Sequence, residues 1–202
     1  MKRIALVTCD AYPNLEPDSQ LLLPALRDLG VDPVPASWSD PGVDWAAFDA
    51  VVSRCPWDYF DREAEFLTWL DTAAQQARAF ANPADLIRWN AHKTYLRELA
   101  GQGVPIVDTQ WDEPGQTATI EHEEGIVKPA VSGGAKGLRR VGAGDTVTAA
   151  DGILLVQPLL TSITTEGELS LFYADGAFTH MVRKVPARGD IRVQPEFDST
   201  VT

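Results

Sequence analysis

Long apolar runs, cysteines and histidines are scarce in this chain. No stretch approaches the roughly 18 consecutive apolar residues that a bilayer-spanning helix requires, so no membrane partner is expected. The start, MKRIALVTCDAYP, has two basic residues but only a short apolar run before Asp10, and reads as a first strand and not as a signal peptide. Cys9 and Cys55 are the only cysteines and form no CxxC pair. They are too few for a disulfide framework, which suits a reducing compartment and a cytoplasmic location. His122 and His180 have no metal-ligand spacing, and neither cysteine has a histidine nearby in the chain, so no zinc site or thiol chemistry is assigned.

What the chain does have is 202 residues with 45% hydrophobic content, enough to bury a substantial core in one large or two small domains. Its net charge of −12 argues against nucleic-acid binding. The distribution of charge says more. Residues 126–202 hold eight Lys or Arg and eight Asp or Glu, so the whole acidic surplus lies in the first 125 residues. The cations of the second part cluster in IVKPAVSGGAKGLRRV (126–141) and RKVPARGDIR (183–192).

The first part alternates strand and helix signals. Residues 4–8 (IALVT) are a short apolar run, and 18–29 have helical length with Asp18 as N-cap and Gly30 as stop. VDPVPAS supplies a proline-interrupted edge strand, 49–54 a buried strand, 63–76 a helix with Phe66, Leu67 and Leu70 on one face, and ARAFANP a short strand. Such alternation predicts a parallel sheet, with functional residues at the carboxyl ends of its strands, where Cys9, Asp10, Arg54, Trp57 and Asp58 fall. A helix is expected over 84–100. After it the pattern changes to short strands and turns, with a hairpin turning at Asp175-Gly176. The expected fold is α/β: a Rossmann-like parallel-sheet domain over 1–88, then an antiparallel-rich α+β domain over 89–202.

The loop SGGAKG (132–137) lacks both the GxxxxGK[ST] and the GxGxxG form. Glycines there allow close backbone approach and free N–H groups that cradle phosphate oxygens; a flexible hairpin turn explains them equally well. Lys128 shifts the balance. It sits inside an apolar strand four residues before the loop, where an unpaired ammonium is costly and a bound anion would satisfy it.

KPAVSGGAKGLRRV resembles the phosphate-loop segment of the ATP-grasp superfamily, WNAHKTYLRELAGQGVPIVDT is similar to the segment that supplies a first nucleotide-binding lysine, and LLVQPLLTSITTEGELSLFYADGAFTHMVRKVPARGDIRVQ is similar to the adenine linker and following hairpin. The three occur in the family's order, and VVSRCPWDYFDREAEFLTWL resembles the pre-ATP-grasp domain of glutathione-synthetase-like members. CPWDY and RGDIRVQ are most similar to the cyclo-ligases of the cycloserine pathway and their relatives. The resemblance implies an ATP-dependent, Mg²⁺-requiring ligase that activates a small-molecule carboxylate as an acyl phosphate for attack by an amine; a homo-oligomer is allowed. By it, Lys93 and Lys128 bind ATP phosphates, Ser132, Gly133, Gly134 and Gly137 belong to the phosphate cover, and Gln157, Pro158, Leu159 and Leu160 form the adenine linker. Glu168 takes the ribose hydroxyls, Lys184 and Arg192 face the transferred phosphoryl group, and Gln194 faces the substrate, with Asp10, Arg54, Trp57 and Asp58 as further substrate candidates.

The residues allow plainer readings too. Lys93 also reads as an exposed helix lysine, Glu168 as the cross-strand partner of Lys184 or Arg183, and Arg192 as one position of a solvated strand face. Arg54 and Asp58 could pair with each other, and Trp57 and Trp89 read first as core or interface aromatics. The family's magnesium ligands find no match before Thr202, so no metal ligand is assigned, the second domain is expected to be incomplete, and an exposed sheet edge and apolar surface are expected. The alternatives to a ligase are a non-catalytic nucleotide-binding or interaction protein, and a sugar- or amino-acid-binding module built on the first domain.

Overall fold

The computed structural model describes residues 1–202, which divide into two compact units, Met1–Gly103 and Val104–Thr202. In the first, β1 (Lys2–Thr8) is followed by α1 (Pro17–Gln20), α2 (Leu22–Asp28), β2 (Val31–Ser37), β3 (Ala50–Cys55), α3 (Glu63–Gln76), β4 (Phe80–Ala81), α4 (Ala84–Ala91) and α5 (Tyr95–Gly101). The strands form one parallel sheet in the order β2-β1-β3-β4. This is the arrangement that the alternation of strand and helix signals predicts, and it places the proline-bearing strand at the edge, where a missing N–H costs no ladder bond.

Two expected helices are broken. The segment 18–29 divides at Leu21 because Pro24 has no N–H to donate back to Gln20, and Pro17, not Asp18, opens the first piece behind Glu16. Gly30, at φ 76°, does end the second piece. The segment 84–100 breaks at His92, which is extended, and the His92 ring bonds the Thr94 hydroxyl at 2.8 Å. Helix α4 joins the first unit, since Ala84 and Ile87 pack on its core and Arg88 pairs with Asp71 of α3. The compact units therefore divide after Gly103 and not near residue 88.

The core of the first unit is aromatic. Trp38, Trp45, Phe66 and Trp69 pack with centroids 5.2–6.1 Å apart, and α3 delivers Phe66, Trp69, Leu70 and Ala73 at helical spacing onto the sheet.

In the second unit come β5 (Gln110–Asp112), β6 (Thr117–Thr119), β7 (Gly125–Pro129), β8 (Arg139–Val141), β9 (Thr146–Thr148), β10 (Leu154–Pro158), α6 (Ser162–Thr165), β11 (Glu168–Ala174), β12 (Ala177–Val185) and β13 (Thr200–Val201). An antiparallel sheet runs β5-β10-β7-β8, a second pairs β6 with β9, and a third runs β11-β12-β13. Asp175 and Gly176, both with positive φ, make the β11–β12 turn where the Asp-Gly pair predicts it. Leu169, Leu171, Tyr173, Phe178 and Met181 of this hairpin are all exposed.

Leu70 is fully buried in the first core. Leu70→Ala should cost about 2–5 kcal/mol, read by urea unfolding, through lost transfer energy and the cavity left behind.

Candidate functional site

Period-two alternation gives the β7–β10 pair two different faces. Val127 and Val156 oppose each other and enter a core with Ile120, Val141 and Val147. One residue along, Ile126 pairs with Gln157 and Lys128 with Leu155, and Ile126, Lys128 and Gln157 line a cavity of about 370 Å³. The cavity lies wholly within the second unit and also takes in Ala135 of the glycine loop, Pro158, Leu159, Leu160, Glu168, Arg192 and Gln194. Residues separated by more than sixty positions in sequence thus converge on one hollow.

Lys128 is half-buried on this wall, and no carboxylate or hydrogen-bond partner meets its ammonium. Burial holds its pKa below the ordinary lysine range. Gln194 adds a second unsatisfied group, since its side-chain oxygen is buried without a donor. Gln157 is buried but satisfied, its Nε2 donating to the Thr109 hydroxyl at 2.8 Å. In the 157–160 segment, Leu159 donates its N–H to the Glu124 carbonyl at 3.0 Å and the Leu160 carbonyl accepts from Ile163 at 3.1 Å.

The glycine loop needs its glycines. Gly137 has φ 75°, and a Cβ there would meet Pro129 at 2.7 Å, so only glycine lets the loop fold back over the end of β7. The Ser132 hydroxyl donates to the Pro129 carbonyl at 3.3 Å and ties the other end of the turn to the same residue. Gly133 and Gly134 lie between, where the Gly133 carbonyl accepts from Lys136 at 2.9 Å. Gly167, also in the cavity lining, has φ 88° and would carry a Cβ 2.5 Å from the Lys184 carbonyl. That close approach sets Glu168 opposite Lys184 across the hairpin.

Several assigned residues prove to be engaged. Glu168 and Lys184 form an ion pair at 3.1 Å, the plainer reading of both, and Lys184 is not among the residues lining the cavity. Arg192 grips Asp190 through Nε and Nη2 and stacks 3.6 Å from the centre of the Phe197 ring. The hydrogen bonds from Arg192 hold the Asp190 carboxyl well below the usual carboxylate range. Arg192 is therefore a fixed cation on the cavity wall and not a solvated strand position. Lys93 belongs to the first unit and lies in the turn between α4 and α5, not on a helix.

The first-unit candidates split into two networks. The Asp10 carboxylate accepts from Ser37 at 2.6 Å and Ser39 at 2.7 Å, with Arg62 at 3.7 Å, and these partners lower its pKa. Asp58 accepts from the Trp38 indole at 2.6 Å and also faces Arg62, which pairs with Glu65 and lies over the Trp38 ring. Arg54 does not pair with Asp58; its Nε donates to the Ser19 hydroxyl at 2.9 Å. Trp57 is not a core residue but exposed, and donates to Glu16 at 2.8 Å. Trp89 packs against Tyr95 with the rings tilted and donates to Glu98. Sequence reasoning missed Arg62, Glu16 and Ser19, whose contacts with Asp10, Trp57 and Arg54 join residues far apart in the chain.

No helix is long and apolar enough to cross a membrane. No group of three or more His, Cys, Asp or Glu side chains gathers in a way that could hold a metal ion.

This architecture is that of the ATP-grasp ligases. The ATP-grasp ligase PsnB, solved with its minimal precursor, superposes with a TM-score of 0.59 at 18% identity over 100% of this chain and 75% of its own, and another PsnB structure contains Mg and ADP. The crystal structure of D-cycloserine synthetase DcsG superposes with a TM-score of 0.82 at 27% identity over 99% of this chain and 74% of that one. In sequence, residues 4–82 match the family described as the N-terminal domain of D-cycloserine synthetase DcsG. The cycloserine biosynthesis protein DcsG of Streptomyces lavendulae is 31% identical over 200 residues, covering 90% of this chain and 67% of that protein. The chain belongs to the DcsG family, and its fold is the one that the ATP-grasp ligases have.

An unpartnered, half-buried cation is a stability cost retained for another reason. Lys128→Met should raise the melting temperature by roughly 2 °C or more in thermal unfolding at neutral pH; a fall of that size would show that the ammonium has a partner within the protein.

Proposed function

We propose that the second-unit cavity holds ATP and that the enzyme activates a small-molecule carboxylate as an acyl phosphate for attack by an amine. The observation that carries this reading is the Lys128 ammonium, set on a cavity wall beside a glycine loop with no anion of its own. ATP supplies the phosphoryl group that makes the carboxylate carbon an electrophile, and Mg²⁺ enters with its phosphate oxygens.

The chain's own residues have positional and electrostatic tasks, and no side-chain nucleophile is needed. Lys128 neutralises phosphate charge, and Ser132, Gly133, Gly134 and Gly137 bring backbone N–H groups over it. Lys93, a residue of the first unit that does not line this cavity, is given no part in the site. Leu159 and Leu160 present a carbonyl and an N–H free of protein partners, the donor and acceptor pair that an adenine edge requires, while Gln157 and Pro158 hold that linker in the sheet. Glu168, steadied by Lys184, accepts from the ribose hydroxyls. Arg192, locked by Asp190, faces the transferring phosphoryl group, and the orphaned oxygen of Gln194 accepts from a ligand N–H or O–H. The cavity lining includes one carboxylate, that of Glu168, so no set of magnesium ligands is assigned.

Calorimetric titration with a non-hydrolysable ATP analogue and Mg²⁺ tests this. Lys128→Ala should weaken binding at least about tenfold, the loss expected for one charge-assisted contact. Burial lowers the Lys128 pKa, so the ammonium is complete below that pKa and lost as pH rises through it. Affinity should therefore decline with rising pH, starting below the ordinary lysine value of about 10.4, and Lys128→Arg should flatten the decline. Unchanged affinity in Lys128→Ala would remove the site from this cavity.

A further inference from the structure

The strand after the glycine loop carries two adjacent arginines, and the register of the sheet sends them to opposite faces. In the β7–β8 ladder Arg139 opposes Val127 and Arg140 opposes Ile126. Opposed residues share a face, and successive residues alternate between faces. Arg139 therefore stands on the face of Val127 and Val141, which belong to the core. Arg140 stands on the other face, with Ile126, Lys128 and Gln157, which line the cavity. Leu138, two residues before Arg140, is itself part of that lining and agrees with this assignment.

The charge on the cavity wall falls short of what a polyphosphate requires. Glu168 is matched by Lys184 and Arg192 by Asp190, so Lys128 is the one uncompensated cation in the lining. A nucleoside di- or triphosphate carries several negative charges, each costly to desolvate without a cation. Arg140 is exposed, and no carboxylate of the chain pairs with it. Because it opposes Ile126, it is the diagonal neighbour of Lys128 on the same face. Such neighbours stand roughly 7–8 Å apart, within reach of long side chains. A planar guanidinium there is suited to two parallel bonds with phosphate oxygens.

We propose that Arg140 is the second free cation of the site and closes on the phosphate chain from the β8 edge of the sheet. This role rests on the nucleotide reading of the cavity and adds to it a contact from outside the cavity wall. Lys128 meets the phosphates from the sheet as a point charge, and Arg140 grips their oxygens from the rim. Exposure suits Arg140 to this task, since water solvates it while the site is empty and its side chain is free to swing onto the ligand. Arg139 has the same charge and is also exposed, but it stands on the opposite face and takes no part.

The test is calorimetric titration of the full chain with a non-hydrolysable ATP analogue and Mg²⁺ at several salt concentrations. Arg140→Gln should weaken binding about tenfold and make its salt dependence shallower, Arg140→Lys should recover part of the loss, and Arg139→Gln should change affinity by less than about twofold. Both arginines are exposed, so each variant should melt within ~2 °C of the wild-type chain, which separates lost contact from lost fold. Wild-type affinity in Arg140→Gln, or an equal loss in Arg139→Gln, would overturn the proposal, while weakened binding by Lys128→Ala in the same series would leave the nucleotide reading standing. No binding by the folded wild-type chain, or unchanged binding by Lys128→Ala, would overturn both.

Discussion

An ammonium set into an apolar strand with no carboxylate to meet it is the constraint on which the second unit depends. Lys128 pairs across the sheet with Leu155, which is fully buried, and precedes a proline against which Gly137 closes the loop. Moving the strand by one residue would turn Lys128 into the core and Val127 onto the cavity, so the register that buries Val127 and Val156 also fixes where the charge points. The free energy lost by desolvating the lysine returns only when an anion occupies the cavity. On the proposed nucleotide site, stability and ligand binding are opposed at this one side chain.

The first unit deals with its charges in the opposite way. Arg62 gathers Asp10, Asp58 and Glu65 while lying over Trp38, so the carboxyl end of the sheet is closed by a shared cation. These groups are partly exposed, and each pair on its own contributes little. Their combined effect is geometric. With Asp10 and Asp58 engaged, Arg54 and Trp57 remain facing a cavity, both steadied through Glu16. Asp10 and Asp58 are thus parts of the frame at this end of the sheet.

Features that depend on neighbours in the chain were legible. The residues 63–76 become α3 with the bounds that the apolar spacing predicts, the parallel sheet follows from strand and helix alternation, and the Asp175-Gly176 turn from its φ requirements. Lys128 was legible because a lysine inside an apolar strand is itself an anomaly. Helix continuity was misjudged at Pro24 and at His92, where one missing N–H and one side-chain bond to Thr94 outweigh propensity over the flanking turns. The pairing of Glu168 with Lys184 was foreseen as one of two readings, since strand register alone leaves open whether a cross-strand partner or a ligand takes the carboxylate. Arg62, Ser19 and Glu16 were out of reach, because each gains its meaning from residues up to 52 positions away that only the folded sheet brings near.

A crystal structure of the chain grown with ADP tests the account of the second unit most directly. Density for the nucleotide is expected in the β7–β10 cavity, with a phosphate oxygen within hydrogen-bonding distance of Lys128 Nζ and the adenine against Leu159 and Leu160. Nucleotide bound elsewhere, or in this cavity with Lys128 turned away from the phosphates, would contradict it.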